Sequence, residues 1–136
     1  MKFKILEHTA DGKFQAYGTT LEGVFENSAY ALISFMTRDK IKERIKKTIK
    51  VKGKDKEQLL YNFLEELLFL LDSKNFILSK IKKIKINEKK LILEAEVIGD
   101  NVKNYEIFGD VKAVTYNSMF IKKQKGKFII QVVIDL

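Results

Sequence analysis

Residues 55–71 have the sequence DKEQLLYNFLEELLFLL, which predicts a long amphipathic helix. Asp55, followed three positions later by Gln58, matches the capping box that opens many helices. The apolar positions recur at helical spacing and form a stripe wide enough to be thoroughly buried: Leu59, Leu60, Phe63, Leu64, Leu67, Leu68 and Leu71. A helix of this kind must pack its stripe against a second layer of secondary structure.

The segments on both sides of this helix alternate between apolar and polar residues, which is typical of strands with one buried face. Residues 43–52 form one such segment, and its polar positions are mostly lysine. Two pairs of strands after the helix are separated by short turns and therefore predict hairpins. The first hairpin comprises residues 77–86 and 91–98, and the second comprises residues 111–123 and 127–136.

The N-terminal third predicts two strands, over residues 2–6 and 14–18, and a first helix that ends near Thr37. Thr19 followed by Glu22 matches a capping box at the start of that helix. Residues 101–110 have no clear period and leave room for a short helix. The whole pattern predicts an α+β two-layer sandwich, with two amphipathic helices packed on one face of a mostly antiparallel β-sheet. Because the chain has no proline and no visible linker, we expect residues 1–136 to form a single domain.

The composition excludes several classes of function. The chain has no cysteine and one histidine, which excludes thiolate metal sites, cysteine nucleophiles and multi-histidine metal centres. No serine lies in a nucleophile elbow, and the glycines match no phosphate-binding loop. His8 alone is more typical of a structural hydrogen bond than of a general base. We therefore expect a protein without independent catalytic activity.

No apolar run approaches the ~18 residues needed to cross a bilayer, and residues 1–8 contain no signal-peptide core. These observations predict a soluble cytoplasmic protein without membrane contact. The formal net charge is +8, and its positive part is concentrated in residues 38–56, 80–90 and 122–127. Such segments favour contact with phosphate backbones, or they are simply solvated. Lysine supplies 24 of the 26 basic residues, which argues against sequence-specific reading of bases.

Two carboxylates occupy unusual positions. Asp11 follows the end of a predicted strand, and Asp135 ends the almost wholly apolar segment 128–134. Leu136 adds a terminal carboxylate if no residue follows it. Oxygen ligands at strand ends suit a hard cation such as Ca²⁺ or Mg²⁺. Taken alone, however, the residues favour the simpler interpretation, in which Asp11 caps a turn and Asp135 is solvated.

Several short segments, in this order and spacing, resemble the archease family over essentially the whole chain. They are HTAD at 8–11, AYGTTLE at 16–22, FEN at 25–27, AL at 31–32, LL at 59–60, FLEELL at 63–68, VKAVTY at 111–116 and VIDL at 133–136. The match is most distinctive in VKAVTY and the closing VIDL. Each segment is weak by itself, but together they make the resemblance specific.

The resemblance implies a non-catalytic activator of the GTP-dependent RtcB-type RNA ligase, which joins tRNA halves during tRNA splicing. Such activators promote guanylylation of the ligase and its multiple turnover. The resemblance also implies a divalent cation, Ca²⁺ in some family members, held by oxygens matching Asp11, Asp135 and Leu136. Strands from opposite ends of the chain would then bring these groups together at one edge of the sheet, as an acidic, metal-bearing tip.

Two further residues are candidates near this tip. Lys112, in the VKAVTY segment, either contacts a phosphate or an acidic ligase residue, or lies on the solvent face of a strand. His8 is a candidate supporting residue. The chain also departs from the family pattern: Gly12 directly follows Asp11, and Tyr105 and Asn117 stand where histidines are common. These departures put any role of the absent histidines in doubt.

Two other functions remain as alternatives. A basic RNA-binding module would use the bases of residues 38–56 and 80–90 and would bind RNA with a steep salt dependence. A chaperone-like modulator of RNA-processing enzymes would protect unrelated enzymes from aggregation.

Overall fold

The computed structural model describes residues 1–6 and 11–136 of the chain. Within these residues, seven strands, two α-helices and one 3₁₀ helix follow one another in the predicted order. They are β1 (Phe3–Leu6), β2 (Gly12–Gly18), α1 (Leu21–Ser34), β3 (Ile45–Lys52), α2 (Lys56–Lys74), β4 (Phe76–Asn87), β5 (Ile92–Asn101), the 3₁₀ helix Val102–Asn104, β6 (Ala113–Gln124) and β7 (Lys127–Asp135).

Helix α2 begins as its sequence predicts. The Asp55 carboxylate accepts a hydrogen bond from the Gln58 backbone N–H at 2.7 Å, and the Gln58 side chain accepts one from the Lys54 N–H at 2.7 Å. Two N–H groups are thereby satisfied at the start of the helix. The helix ends at Asn75, whose φ of 54° is the left-handed conformation that commonly terminates helices.

Helix α1 begins one residue later than its sequence pattern predicts. Thr20, not Thr19, is the N-cap, and its hydroxyl accepts a hydrogen bond from the Gly23 N–H at 2.9 Å. The predicted capping box of Thr19 and Glu22 is therefore wrong. Glu22 reaches across to β4 instead, where its carboxylate accepts a hydrogen bond from the Ile86 N–H at 3.4 Å.

The α+β class and the packing of two helices against antiparallel strands are confirmed, but the strands form two sheets instead of one. The first, sheet A, has the order β1-β2-β7-β6, and the second, sheet B, has the order β3-β5-β4. Each C-terminal hairpin pairs with an earlier strand, β5 with β3 and β7 with β2. The Glu65 carboxylate of α2 accepts a hydrogen bond from the Val114 N–H of β6 at 2.7 Å. A helix side chain therefore satisfies a backbone donor at that edge of sheet A.

Both helices contribute to one hydrophobic core that also contains side chains of both sheets. Its largest fully buried side chains include Phe14, Phe25, Phe63, Phe76 and Leu93. Helix α1 contacts β2 and β4, and α2 contacts β6 and β3. Each helix therefore joins sheet A to sheet B. Within the described residues, no helix combines the length and apolar character required to span a membrane.

Candidate functional site

The pairing of β2 with β7 brings the two candidate carboxylates together. These strands are antiparallel, and Gly12 lies opposite Ile134 at the last paired position. Asp11 directly precedes Gly12 and Asp135 directly follows Ile134, so both acids adjoin this end of the β2–β7 pair. Residues directly opposite each other in an antiparallel pair have Cα atoms roughly 4.5–5.5 Å apart, as applies to Gly12 and Ile134. Two acids that are distant in sequence therefore lie at the same end of sheet A.

Lys112 flanks the same strand end. Its backbone N–H donates to the Asp135 carbonyl at 2.8 Å, and Asp135 itself pairs with Ala113 of β6. The side chains of Lys112 and Asp135 are exposed, and Leu136 is 46% exposed. We call Asp11, Asp135 and Leu136 the acidic tip, with Lys112 beside it.

The acidic tip lies at the ends of central strands, whereas the sequence led us to expect the edge of the sheet. β2 and β7 are the two inner strands of sheet A, with β1 and β6 outside them. Gly12 allows the close packing beneath the tip, because a Cβ atom there would lie 2.7 Å from a ring carbon of Phe35 and 2.8 Å from Ile134 Cγ1. His8, the candidate supporting residue, lies outside the described residues.

The donor chemistry of the acidic tip fits a hard divalent cation, since carboxylate oxygens are the ligands that Ca²⁺ and Mg²⁺ prefer. Asp11 and Asp135 supply two side-chain carboxylates. Within residues 1–6 and 11–136, no group of three or more His, Cys, Asp or Glu side chains is placed to hold a metal. A cation here would therefore need further oxygens, such as the terminal carboxylate of Leu136 where the chain ends at that residue.

One face of α2 is fastened to β6 by contacts that the sequence analysis missed. The Tyr61 ring stacks on Tyr116, with ring centroids 4.4 Å apart, and Glu65 one turn later binds the Val114 N–H. Burial raises the pKa of Tyr116 above its ordinary value. The spacing of Tyr61, Glu65 and Phe69 was the available signal, because residues four apart share a helix face.

Tyr105, which stands where the family commonly has histidine, belongs to a structural network instead of the acidic tip. Its hydroxyl donates to the Asp100 carboxylate at 2.6 Å, and Asp100 is only 3% exposed. This hydrogen bond is the main reason that the pKa of Asp100 is lowered, with Arg44 contributing from 3.5 Å. The Tyr105 oxygen also accepts the Lys42 N–H at 2.9 Å, which ties the 3₁₀ turn to the segment before β3.

Asn117, at the other position where a family histidine is absent, is exposed in an irregular part of β6. The pairing of β6 with β7 is interrupted between Thr115 and Phe120, and Ser118 within this interval has a φ of 55°. The Asn117 N–H donates to the Thr115 hydroxyl at 3.3 Å. Thr115 also donates to the Val133 carbonyl at 2.8 Å, so it supports the strand pairing.

The basic segments do not form one uniform basic face. On sheet B, Glu94 of β5 lies between Lys50 of β3 and Lys85 of β4, and Glu96 lies opposite Lys83. Oppositely charged neighbours across strands attract each other and reduce the net field. The two glutamates therefore offset only part of the positive charge of the exposed lysines on β3 and β4.

The family model of the Archease protein family matches residues 3–136. The chain belongs to the archease family. It is 37% identical to the protein archease of Sulfurisphaera tokodaii, with 99% of each chain covered. It is 39% identical to that of Pyrococcus furiosus, covering 96% of this chain and 95% of the relative.

Solved structures agree with this membership. The solution structure of Methanobacterium thermoautotrophicum protein 1598 superposes with a TM-score of 0.86 at 36% identity, covering 98% of both chains. The crystal structure of a Thermotoga maritima archease, described as a possible chaperone, has a TM-score of 0.67 at 20% identity and covers 98% of this chain and 96% of that one. The second comparison concerns the archease fold alone.

Proposed function

We propose that this archease family member is a non-catalytic activator of the GTP-dependent RtcB-type RNA ligase in tRNA splicing. It acts in the cytoplasm through the acidic tip, which holds a divalent cation. Ca²⁺ is the cation that we propose. The observation that carries the proposal is the antiparallel pairing of β2 with β7, in which Gly12 lies opposite Ile134, so that the neighbouring Asp11 and Asp135 adjoin the same end of sheet A. Family membership supplies the class of partner.

The tip is suited to work inside a partner's site because its charged groups are presented by rigid elements. β2 and β7 pair over seven positions and lie in the middle of sheet A, so the strand ends are held from both sides. Binding sites on paired strands keep their geometry better than those on loops. A bound cation would supply positive charge for phosphate oxygens at the contact.

Lys112 adds a second means of contact. Its backbone is fixed by the hydrogen bond to Asp135, and its exposed ammonium group is free to reach an anion beside the two carboxylates. A phosphate oxygen of the nucleotide or an acidic ligase residue are suitable partners for a lysine, which acts as a compact point charge. Asp11, Asp135 and Lys112 would then recognise the same partner site with complementary charges.

The test is multiple-turnover RNA joining by a cognate ligase with GTP, with and without this protein. We expect strong stimulation by the wild type and a loss of at least about tenfold in Asp11→Asn and Asp135→Asn, since each variant removes a charged ligand. Glu94→Gln is the matched control, because Glu94 is an exposed carboxylate on sheet B. Thermal unfolding of every variant separates loss of activation from loss of fold.

Each other outcome contradicts part of the proposal. Stimulation that survives both aspartate substitutions would retain the activator and discard the acidic tip. No stimulation by the wild type would contradict the activator itself. Protection of an unrelated enzyme from aggregation, without ligase stimulation, would instead favour the chaperone function named for the Thermotoga maritima structure.

A further inference from the structure

A second charged region lies at the opposite end of β7 from the acidic tip. The nine residues of β7, at roughly 3.3 Å per residue, place its first residue about 26 Å from Asp135. Three loops meet at this end: the segment before α2, the β4–β5 turn and the β6–β7 turn. We call the lysines in these loops and at the adjoining ends of α2, β6 and β7 the basic pole: Lys54, Lys56, Lys89, Lys90, Lys122, Lys123, Lys125 and Lys127.

The three loops line a common groove of about 630 Å³. Its charged walls contain four lysines of the basic pole together with Asp55, Glu57 and Glu88. Two of these acids are already engaged, because Asp55 caps α2 and Glu88 pairs with Lys56 at 3.3 Å. Within the described part of the chain, no carboxylate forms an ion pair with Lys54, Lys122 or Lys123.

The groove also has an apolar component, which comprises Leu91, Ile121 and Phe128. Two of its lysines lie over aromatic rings. The Lys123 ammonium is 5.4 Å from the centroid of Phe128, and the Lys122 ammonium is 4.4 Å from that of Phe120. Cation–π contacts of this kind hold flexible lysines close to the protein surface.

We propose that the basic pole is a binding site for a single-stranded nucleic acid. Surface lysines meet its phosphodiester backbone, and the apolar wall around Phe128 receives unstacked bases. Clustered positive charge beside an aromatic surface is the chemistry of sequence-tolerant single-strand binding. The absence of arginine from the pole matches contact with phosphates, because lysine lacks the planar fork that reads base edges.

The aromatic contacts distinguish this end of the molecule from sheet B. On sheet B, the exposed lysines of β3 and β4 flank Glu94 and Glu96, and none of these lysines lies over an aromatic ring in the described part of the chain. At the basic pole, eight lysines lie near three acids, and one of these lysines, Lys56, pairs with Glu88. The proposal is independent of the ligase, because the groove and the acidic tip lie at opposite ends of β7.

The test is fluorescence anisotropy of a labelled uridine 20-mer with the isolated full chain over a range of salt concentrations. We expect binding at low salt that weakens steeply as salt rises, through release of counterions. Lys122→Gln/Lys123→Gln should weaken binding about tenfold and reduce the slope of log K against log salt by about 1.4, at ~0.7 per lost phosphate contact.

The matched control is Lys40→Gln/Lys42→Gln. It removes the same charge from two exposed lysines in the segment before β3, which enters that strand at the end remote from the groove. We expect this control to retain nearly all of the affinity. Equal weakening by both pairs, or no binding by the wild type at 50 mM salt, would overturn the proposal. Competition by polyglutamate as strong as by unlabelled RNA of equal charge would also overturn it, in favour of a protein partner.

Discussion

At the scale of single residues, Tyr105 shows how one hydroxyl group governs the ionisation of a buried acid. Its hydrogen bond is the largest cause of the lowered pKa of Asp100. A carboxyl whose pKa is lower in the folded state stabilises the fold above its unfolded pKa of about 4. This stabilisation is lost as the pH falls through the folded value.

We therefore predict that Tyr105→Phe moves acid unfolding to a higher pH, because Asp100 loses its strongest hydrogen bond. The measurement is circular dichroism during titration from pH 7 to pH 2. Tyr17→Phe is the matched control, since the Tyr17 hydroxyl bonds to the neutral side chain of Gln15. An unchanged acid midpoint in Tyr105→Phe would show that Asp100 does not govern acid stability.

Single residues of the candidate site were only partly accessible to sequence reasoning. Asp11 and Asp135 stood out because Asp11 follows the end of a predicted strand and Asp135 ends an almost wholly apolar one. Their mutual position was not in the sequence pattern, since strand alternation specifies which face a residue takes but not which strand lies beside it. Glu65 was missed because its position on the helix gave no signal. A carboxylate that binds a strand edge has the same sequence spacing as a solvated carboxylate on the same helix face.

At the scale of secondary-structure elements, two phenylalanines on α2 allow the effect of burial on stability to be separated from the effect of side-chain size. Phe63 is fully buried in the core, whereas Phe69 on the same helix is 52% exposed. We predict that Phe63→Ala lowers the free energy of unfolding by about 3–5 kcal/mol. Phe69→Ala should change it by less than about 0.5 kcal/mol.

Urea denaturation followed by circular dichroism measures both variants on one scale. The two substitutions remove the same atoms from the same helix, so a difference between them reports packing and not helix propensity. A similar loss in both variants would contradict the burial of the α2 stripe as the source of stability.

The helices and strands themselves were largely predictable, and their grouping was not. Apolar periodicity placed α2, and the Asp55 and Gln58 cap was confirmed. The cap of α1 was misplaced by one residue because Thr19 and Thr20 are adjacent and chemically equivalent. The division into two sheets depends on pairings between distant strands, such as β3 with β5, and no local pattern encodes these pairings.

At the scale of the whole molecule, the residues of the acidic tip adjoin β2 and β7, two strands from opposite ends of the described chain. A cation held by Asp11 and Asp135 would bind the folded state and not the unfolded chain, in which these residues are far apart. Binding of this kind stabilises a protein by about 2.7 kcal/mol at a ligand concentration one hundred times Kd.

We accordingly predict that CaCl₂ raises the Tm of the wild type by several degrees and leaves Asp135→Asn unchanged. Differential scanning fluorimetry with EDTA as the metal-free reference measures the shift. Glu94→Gln, which alters a carboxylate on sheet B, should retain the full rise in Tm. A rise that persists in Asp135→Asn would place the cation elsewhere on the molecule.

The central position of β7 in sheet A affects the order in which the two sheets fold during synthesis on the ribosome. β3, α2, β4 and β5 are contiguous in sequence, so sheet B can assemble while the rest of the chain is still being made. β1 and β2 must wait for β7, the last of the described strands to emerge. Until then, the edge of β2 that pairs with β7 is open. A prematurely terminated chain would therefore lack the acidic tip as well as the strand that closes sheet A.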